Sequence, residues 1–174
     1  SMLCGIRAIP VQVEVDISTG LPAFEMVGYL SSEVREAKER VRTALHNCGV
    51  SLPAKRITIN LSPGNVRKTG TGFDLPIAVA LLSAIGVLDE MCSRQKVFVG
   101  ELNLSGQLLP VNGILPVVSD GCRDGVHTDF IIPMDNLAEG ELVRDASVYG
   151  FSSLEAVIAY LRGGAYEKPA LTML

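Results

Sequence analysis

The sequence predicts an α+β fold, a mixed sheet with packed helices, and three observations carry that reading. Val11, Val13, Val15 and Ile17 alternate with Gln12, Glu14 and Asp16, and Ile57, Ile59 and Leu61 alternate with Thr58 and Asn60. That period of two belongs to half-buried strands. Residues 74–88 are apolar on every side, which suits a central core helix rather than a surface one. Strand and helix patterns do not alternate strictly: hairpins fall early and in the middle with helices between, unlike a doubly wound Rossmann order.

Taken in order, a first strand begins at Leu3 and the alternating strand 11–17 follows. Gly20-Leu21-Pro22 then turns the chain into a second strand, 24–28. Ser31 or Ser32 caps a helix that runs to Gly49, with Val34, Ala37, Val41, Ala44, Leu45 and Cys48 as its apolar face. Gly49 stands where a left-handed C-cap belongs. Arg35, Lys38 and Arg42 form a basic stripe beside that face, and Glu36/Arg40 and Glu39/Arg42 are spaced for intrahelical pairs. Strand 55–61 leads through loop 62–72 into the core helix. Pro76 is tolerated in its first turn, and Asp74 suits the N-cap or a first-turn acid. Runs 97–104 and 107–111 flank Ser105-Gly106, a two-residue hairpin signal. A helix over 113–125, a buried strand over 129–132, a helical turn over 135–141 and a strand over 147–151 complete the pattern. Ser152 or Ser153 caps a last helix ending at 162–164. Residues 1–163 thus read as one domain, and 164–174 as a linker or tail.

Bulk properties narrow the function. A chain of 174 residues with mean hydropathy +0.33 buries roughly 70 % of its unfolded surface and needs no staples. The net charge is −4, unlike a dedicated nucleic-acid-binding domain. Residues 1–87, however, hold nine Lys/Arg against seven Asp/Glu, and residues 88–174 hold six against twelve, so one end can still meet an anion. Cys4, Cys48, Cys92 and Cys122 lie 30 or more residues apart, and His46 and His127 sit in no ligand spacing. No metal site is implied, and buried free thiols in a reducing compartment are expected. The longest apolar run is too short to span a bilayer, and no signal peptide precedes the fold. The expected location is the cytoplasm, without a membrane partner.

The stretch KTGTGFDLPIAVALLSAIG, residues 68–86, carries the most chemistry. A Gly-rich loop ahead of a helix can bind an anion at its backbone amides, which makes Gly70, Thr71 and Gly72 a possible anion loop, with Arg67 and Lys68 beside it. The phosphate-loop pattern is incomplete, because no Gly precedes Lys68 as it requires. The same loop can present a nucleophile, or simply turn the chain through Gly70 and Gly72.

From Gly70 through the helix, and then VGELNLSGQLLPVNGIL, the chain resembles the proteolytic domain of Lon proteases over about residues 55–163. That family uses a Ser–Lys dyad, in which a desolvated Lys serves as base. The resemblance puts the nucleophile position on Gly72 and the Lys position on Val117. No Ser lies between Ser62 and Ser83 and no Lys between Lys96 and Lys168, so the dyad is degenerate. Thr71 is a hydroxyl without a matching base.

A second resemblance is more specific. VEVDISTGLPAFEMVGYL followed by EAKERVRTALHNCGVSLPAKRITINLSPGNVRKTGTGFDLPIAVALL is similar to the N-terminal domain of the ComM/YifB family, over residues 5 to about 163. These are magnesium-chelatase-related AAA+ ATPases linked to natural transformation. The resemblance implies a Lon-protease-like, ribosomal S5 domain 2-like fold. It implies a following ATPase domain in cis that carries ATP and Mg²⁺, a hexameric ring, and action on DNA branches in recombination. This stretch itself has no Walker motif, so no cofactor is expected in it, and it reads as an excised, non-catalytic N-terminal domain serving assembly or DNA guidance. If DNA is touched here, Arg35, Lys38, Arg42, Lys55, Arg56, Arg67 and Lys68 are the expected phosphate contacts. The open alternatives are a ligand- or nucleotide-binding domain using loop 70–74, a peptidase, and a pure interaction module.

Overall fold

The computed structural model describes residues 2–4, 7–123 and 128–169. Positions 124–125 of the expected third helix, His127, the Cys4 side chain and tail residues 170–174 lie outside the described residues. Ten strands and five α-helices follow one another among those described. They are β1 (Met2–Cys4), β2 (Arg7–Ile9), β3 (Gln12–Ser18), β4 (Ala23–Val27), α1 (Ser32–Asn47), β5 (Arg56–Ser62) and α2 (Asp74–Ala84). Then come β6 (Lys96–Phe98), β7 (Glu101–Leu102), β8 (Leu108–Leu109), α3 (Ile114–Arg123), β9 (Asp129–Pro133), α4 (Leu137–Gly140), β10 (Ser147–Phe151) and α5 (Leu154–Leu161).

Two three-stranded sheets organise the chain. In the first, of order β3-β5-β4, β3 runs antiparallel to β5, and β4 runs parallel to β5 through the α1 crossover. The period-two pattern sets which face is wet. Gln12, Glu14, Asp16 and Ser18 are exposed, while Ile57, Ile59 and Leu61 of the central strand are buried. The second sheet, β10-β9-β6, is parallel throughout. The expected strand 97–104 therefore divides. Lys96–Phe98 joins the parallel sheet, whereas Glu101–Leu102 pairs with Leu108–Leu109 as a hairpin. The hairpin turn is longer than the two residues expected. The Asn103 side-chain oxygen accepts from the amides of Ser105 and Gln107, at 3.0 and 2.9 Å, and organises residues 103–107.

Helix α1 begins where its sequence predicts: the buried Ser31 hydroxyl accepts the Val34 amide at 3.3 Å. It ends at Asn47 with Cys48 as C-cap, and Gly49 after it has a φ of +83°, the left-handed value expected there. The Glu36–Arg40 pair forms, at 3.6 Å. The expected Glu39–Arg42 pair does not. The Arg42 guanidinium lies instead over the Phe24 ring, 5.4 Å from its centroid. Helix α2 is the core helix, with Leu75, Ile77, Ala78, Leu81 and Leu82 fully buried against β3 and α1. It stops at Ala84, short of residue 88, and Gly86 turns the chain at φ +83°.

A second apolar cluster joins Val99, Ile114, Val117, Val118, Phe130 and Ile132 beneath α3. The thiols of Cys48, Cys92 and Cys122 are free, as expected, but half-buried rather than buried. Part of the segment read as a tail is docked. Tyr166 packs against Tyr149, Phe151 and Tyr160, with ring centroids 4.9 to 6.1 Å away, and its hydroxyl accepts the Gly150 amide at 3.0 Å.

Candidate functional site

The loop that precedes α2 forms one wall of a cleft of about 250 Å³, lined by Thr71, Gly72, Val99, Val111, Val117 and Glu33 among others. The two positions matched to the protease dyad, Gly72 and Val117, thus face the same space. Neither carries a reactive group. Val117 belongs to the apolar cluster under α3, where a methyl-bearing side chain fills the place a desolvated amine would need. Among the described lining residues there is no Lys, His or Cys, and one carboxylate, Glu33, shares the lining with the hydroxyls of Thr69 and Thr71.

Lys68, adjacent in sequence, does not supply an amine to the cleft. Its side chain is fully buried and its ammonium donates to the Pro63 carbonyl. Its backbone is paired on both sides, with the Lys68 amide donating to Tyr29 at 2.8 Å and its carbonyl accepting from Ser31 at 2.9 Å. Burial pushes the Lys68 ammonium below its ordinary pKa. The expectation that Lys68 is a surface phosphate contact is therefore corrected. The backbone pairing that threads the loop beside the start of α1 draws this side chain inside.

The amides at the start of α2 are engaged. The Asp74 amide donates to Thr71 at 3.5 Å, the Leu75 amide to Gly100 at 3.0 Å and the Ile77 amide to Phe73 at 3.1 Å, while Pro76 has no N–H. Loop and hairpin are stitched further by the Gly100 amide, which donates to the Gly72 carbonyl at 3.0 Å. The N-cap is Phe73, without a side-chain bond, and Asp74 is a first-turn acid with another partner. Its buried carboxylate accepts Arg40 Nε at 2.8 Å, Arg40 Nη2 at 3.1 Å and the Leu102 amide at 3.0 Å. A nucleotide phosphate would find the amides at the start of α2 already used and a buried carboxylate beside them. Among the described residues no group of three or more His, Cys, Asp or Glu could hold a metal ion.

Sequence reasoning missed two fixtures of the cleft. One is the Arg40–Asp74–Leu102 link. The other is Asn136, buried at the β9–α4 junction. Its amide oxygen accepts the Val111 N–H and its amide nitrogen donates to the Val111 carbonyl, both at 3.0 Å. Glu139 Oε1 continues that clamp by accepting the Leu115 amide at 3.1 Å.

The two loop glycines differ physically. Gly70 has φ +85° in open space, so a side chain there is strained by the backbone alone. Gly72 has no positive φ, and an added Cβ would meet Val99 Cγ1 at 3.1 Å and Val111 Cγ1 at 4.0 Å. Gly70→Ala is expected to cost about 1–2 kcal/mol. Gly72→Ala should cost less, because the Val99 contact is offset by lower unfolded-state entropy. Urea unfolding of both variants checks the order, and a larger loss at Gly72 would refute this account of the loop.

The remaining predicted cations lie on α1, on β5 and in the loops of the first half of the chain. Arg35 and Arg42 are exposed on α1, and Lys38 is half-buried there. Arg67 is exposed in the loop. Arg56 is exposed at the start of β5 and is paired with Glu25 at 3.4 Å. Arg42 and Lys55 line a separate cleft between α1 and the first sheet.

Residues 13–136 match the protein family described as subunit ChlI of Mg-chelatase. The chain belongs to this family. The ChlI match runs from β3 through α1, the loop, α2 and the hairpin to Asn136, and so includes both walls of the small cleft. The chain is 41 % identical over 159 residues to the competence protein ComM of Haemophilus influenzae, which covers 91 % of this chain and 31 % of that protein. It is 41 % identical over 169 residues to the protein YifB of Escherichia coli, covering 97 % and 33 %. A weaker match, 29 % over 153 residues, reaches Lon protease 1 of Bacillus subtilis and covers 84 % and 19 %. The mixed α+β fold is accordingly Lon-like. The chain spans about a third of the length of ComM and YifB. No described helix is long and apolar enough to cross a membrane.

Proposed function

We propose that this chain is the non-catalytic, Lon-like N-terminal part of a magnesium-chelatase-like AAA+ ATPase that acts on DNA in recombination and natural transformation. In that reading it serves ring assembly or guides DNA toward an ATPase domain in cis, in the cytoplasm. ATP and Mg²⁺ belong to that further domain, and the working form is a hexamer. The observation that carries the reading is the emptied protease cleft. Gly72 and Val117 line the same space and neither of them supplies a nucleophile or a base, in a chain 41 % identical to a competence protein. The used amides and buried carboxylate at the start of α2 weigh against the nucleotide alternative at loop 70–74.

The DNA role draws its support from α1, where Arg35, Lys38 and Arg42 share one flank, bordered by Glu39, while Glu36 and Arg40 pair on the other. Fluorescence anisotropy against branched and single-stranded DNA at two salt concentrations tests it. Salt-sensitive binding is expected. Replacing Arg35 and Lys38 together by Ala should weaken it and lower the slope of log K against log salt by about two, one for each phosphate no longer neutralised. No binding at low salt would remove DNA contact and leave assembly. Peptide hydrolysis abolished by Thr71→Ala would overturn the non-catalytic assignment.

A further inference from the structure

The cleft between the C-terminal half of α1 and the first sheet is built differently from the emptied one. It has a volume of about 540 Å³, within the roughly 300–1,000 Å³ of small-ligand sites. Phe24, Leu52 and Ile57 supply apolar lining, and Arg42, His46 and Lys55 supply polar groups. Among the described residues no acidic side chain lines it. Among the described residues neither Arg42 nor Lys55 has an ion-pair partner, in contrast to Arg40 and Arg56.

The cleft also terminates a track. Arg35, Lys38, Arg42 and His46 follow at steps of three and four residues, and therefore share one flank of α1. Glu39 borders that flank. Sequence reading stopped the stripe at Arg42; the structure extends it by His46 and turns it into the cleft at Lys55. Point charges repeated along a helix suit a polyanion, and the Arg42–Phe24 pair brings a guanidinium and an aromatic ring together in the lining. Phe24 is buried, so the guanidinium that caps its ring is the stacking surface the cleft offers a base. A concavity of this size takes one base out of a strand; it cannot admit a stacked duplex.

We propose that this cleft seats one unstacked base of a single DNA strand, with the flanking phosphates running along Arg35, Lys38, Arg42 and Lys55. The inference rests on the reading that this domain contacts DNA, and it specifies which form of DNA and where.

The test titrates the whole chain with a labelled oligothymidylate and with a blunt duplex of equal length, and repeats both with Ser51→Trp. Ser51 is exposed and lines the cleft, so the indole fills the space. The single strand is expected to bind more tightly than the duplex, and Ser51→Trp to weaken it about tenfold, the order of one unstacked base, while duplex binding holds. A 2-aminopurine base placed in the strand should change its fluorescence on binding to the unmodified chain, which reads the seat without any variant. Equal affinity for both forms, indifferent to Ser51→Trp and silent in 2-aminopurine, overturns the cleft assignment while the DNA reading stands. No binding of either form overturns both. Binding of an acidic, Phe-containing peptide that Ser51→Trp abolishes, without oligothymidylate binding, overturns it in favour of a protein partner.

Discussion

Replacing Arg40 by Met is expected to destabilise the protein by about 3–5 kcal/mol near pH 7.5, the range for breaking a buried pair from one side. The loss should shrink on acidification. Asp74 is completely buried, and Arg40 is its only cationic partner among the described residues; the Arg40 side chain is 19 % exposed. Burial pushes the Asp74 carboxyl above the ordinary carboxylate pKa, with Glu101 adding to the push, while the Arg40 bonds and the Leu102 amide pull it partway back. Without Arg40 that restraint goes and the carboxyl rises further. The folded variant then keeps its Asp74 proton at pH values where the unfolded chain, with an Asp near 3.9, has already released it. Over that window the folded state binds more protons, so the variant's stability is highest below the unfolded pKa and is lost as pH rises.

Urea unfolding at pH 5 and pH 7.5 should therefore give a difference from the parent that is smaller by more than about 1 kcal/mol at the lower pH, the scale of one pKa unit. Adding Asp74→Asn should restore part of the loss at pH 7.5, since the amide removes the charge yet keeps an acceptor for Leu102. An equal loss at both pH values would sink the argument. The consequence reaches function, because the pair ties the helix that carries the basic stripe to the residue that follows the loop.

That pair also marks where local sequence patterns stop. The strands expected over 11–17 and 55–61, found at 12–18 and 56–62, the cap at Ser31 or Ser32, found at Ser31, the Gly49 terminus and the burial of α2 all follow from patterns within a dozen residues. Arg40 looked like half of an i, i+4 pair with Glu36, which it is at 3.6 Å; its stronger partner lies 34 positions away. Nothing in the residues near Arg40 encodes that distance. Lys68 looked like a second surface cation beside Arg67. Only the pairing of its backbone with Tyr29 and Ser31, a non-local contact, decides that one side chain faces water and the next faces the core. The run 97–104 reads as one strand in the sequence, yet its strands pair with different partners on either side of Gly100. A Cβ at Gly100 would meet Leu108 at 2.8 Å. The glycine was visible in the sequence, but not the close approach that requires it. The cleft positions Gly72 and Val117 came from family resemblance, and the space between them from the fold.

Asn136→Ala is expected to open the wall of the emptied cleft from a distance. The Asn136 amide meets both the N–H and the carbonyl of Val111 at 3.0 Å, as a neighbouring strand would. Truncation leaves two half-buried backbone groups without a partner, at about 1–3 kcal/mol for each group left unmade. It also removes a neighbour of Glu139, 3.5 Å from its nitrogen, whose other oxygen holds the Leu115 amide near the start of α3. Amide exchange should accelerate at Val111 and Leu115 while α2, buried and held independently, keeps its protection. Asn136→Asp discriminates between packing and bonding as the source of the effect. It preserves the shape and the acceptor for the Val111 N–H, but sets an oxygen against the Val111 carbonyl and a charge beside Glu139. If bonding matters it should be at least as destabilising as Asn136→Ala. If Asn136→Asp were instead harmless, the residue would be a space-filler. The wall carrying Val111 and Val117 would then owe its position to the apolar cluster under α3 alone.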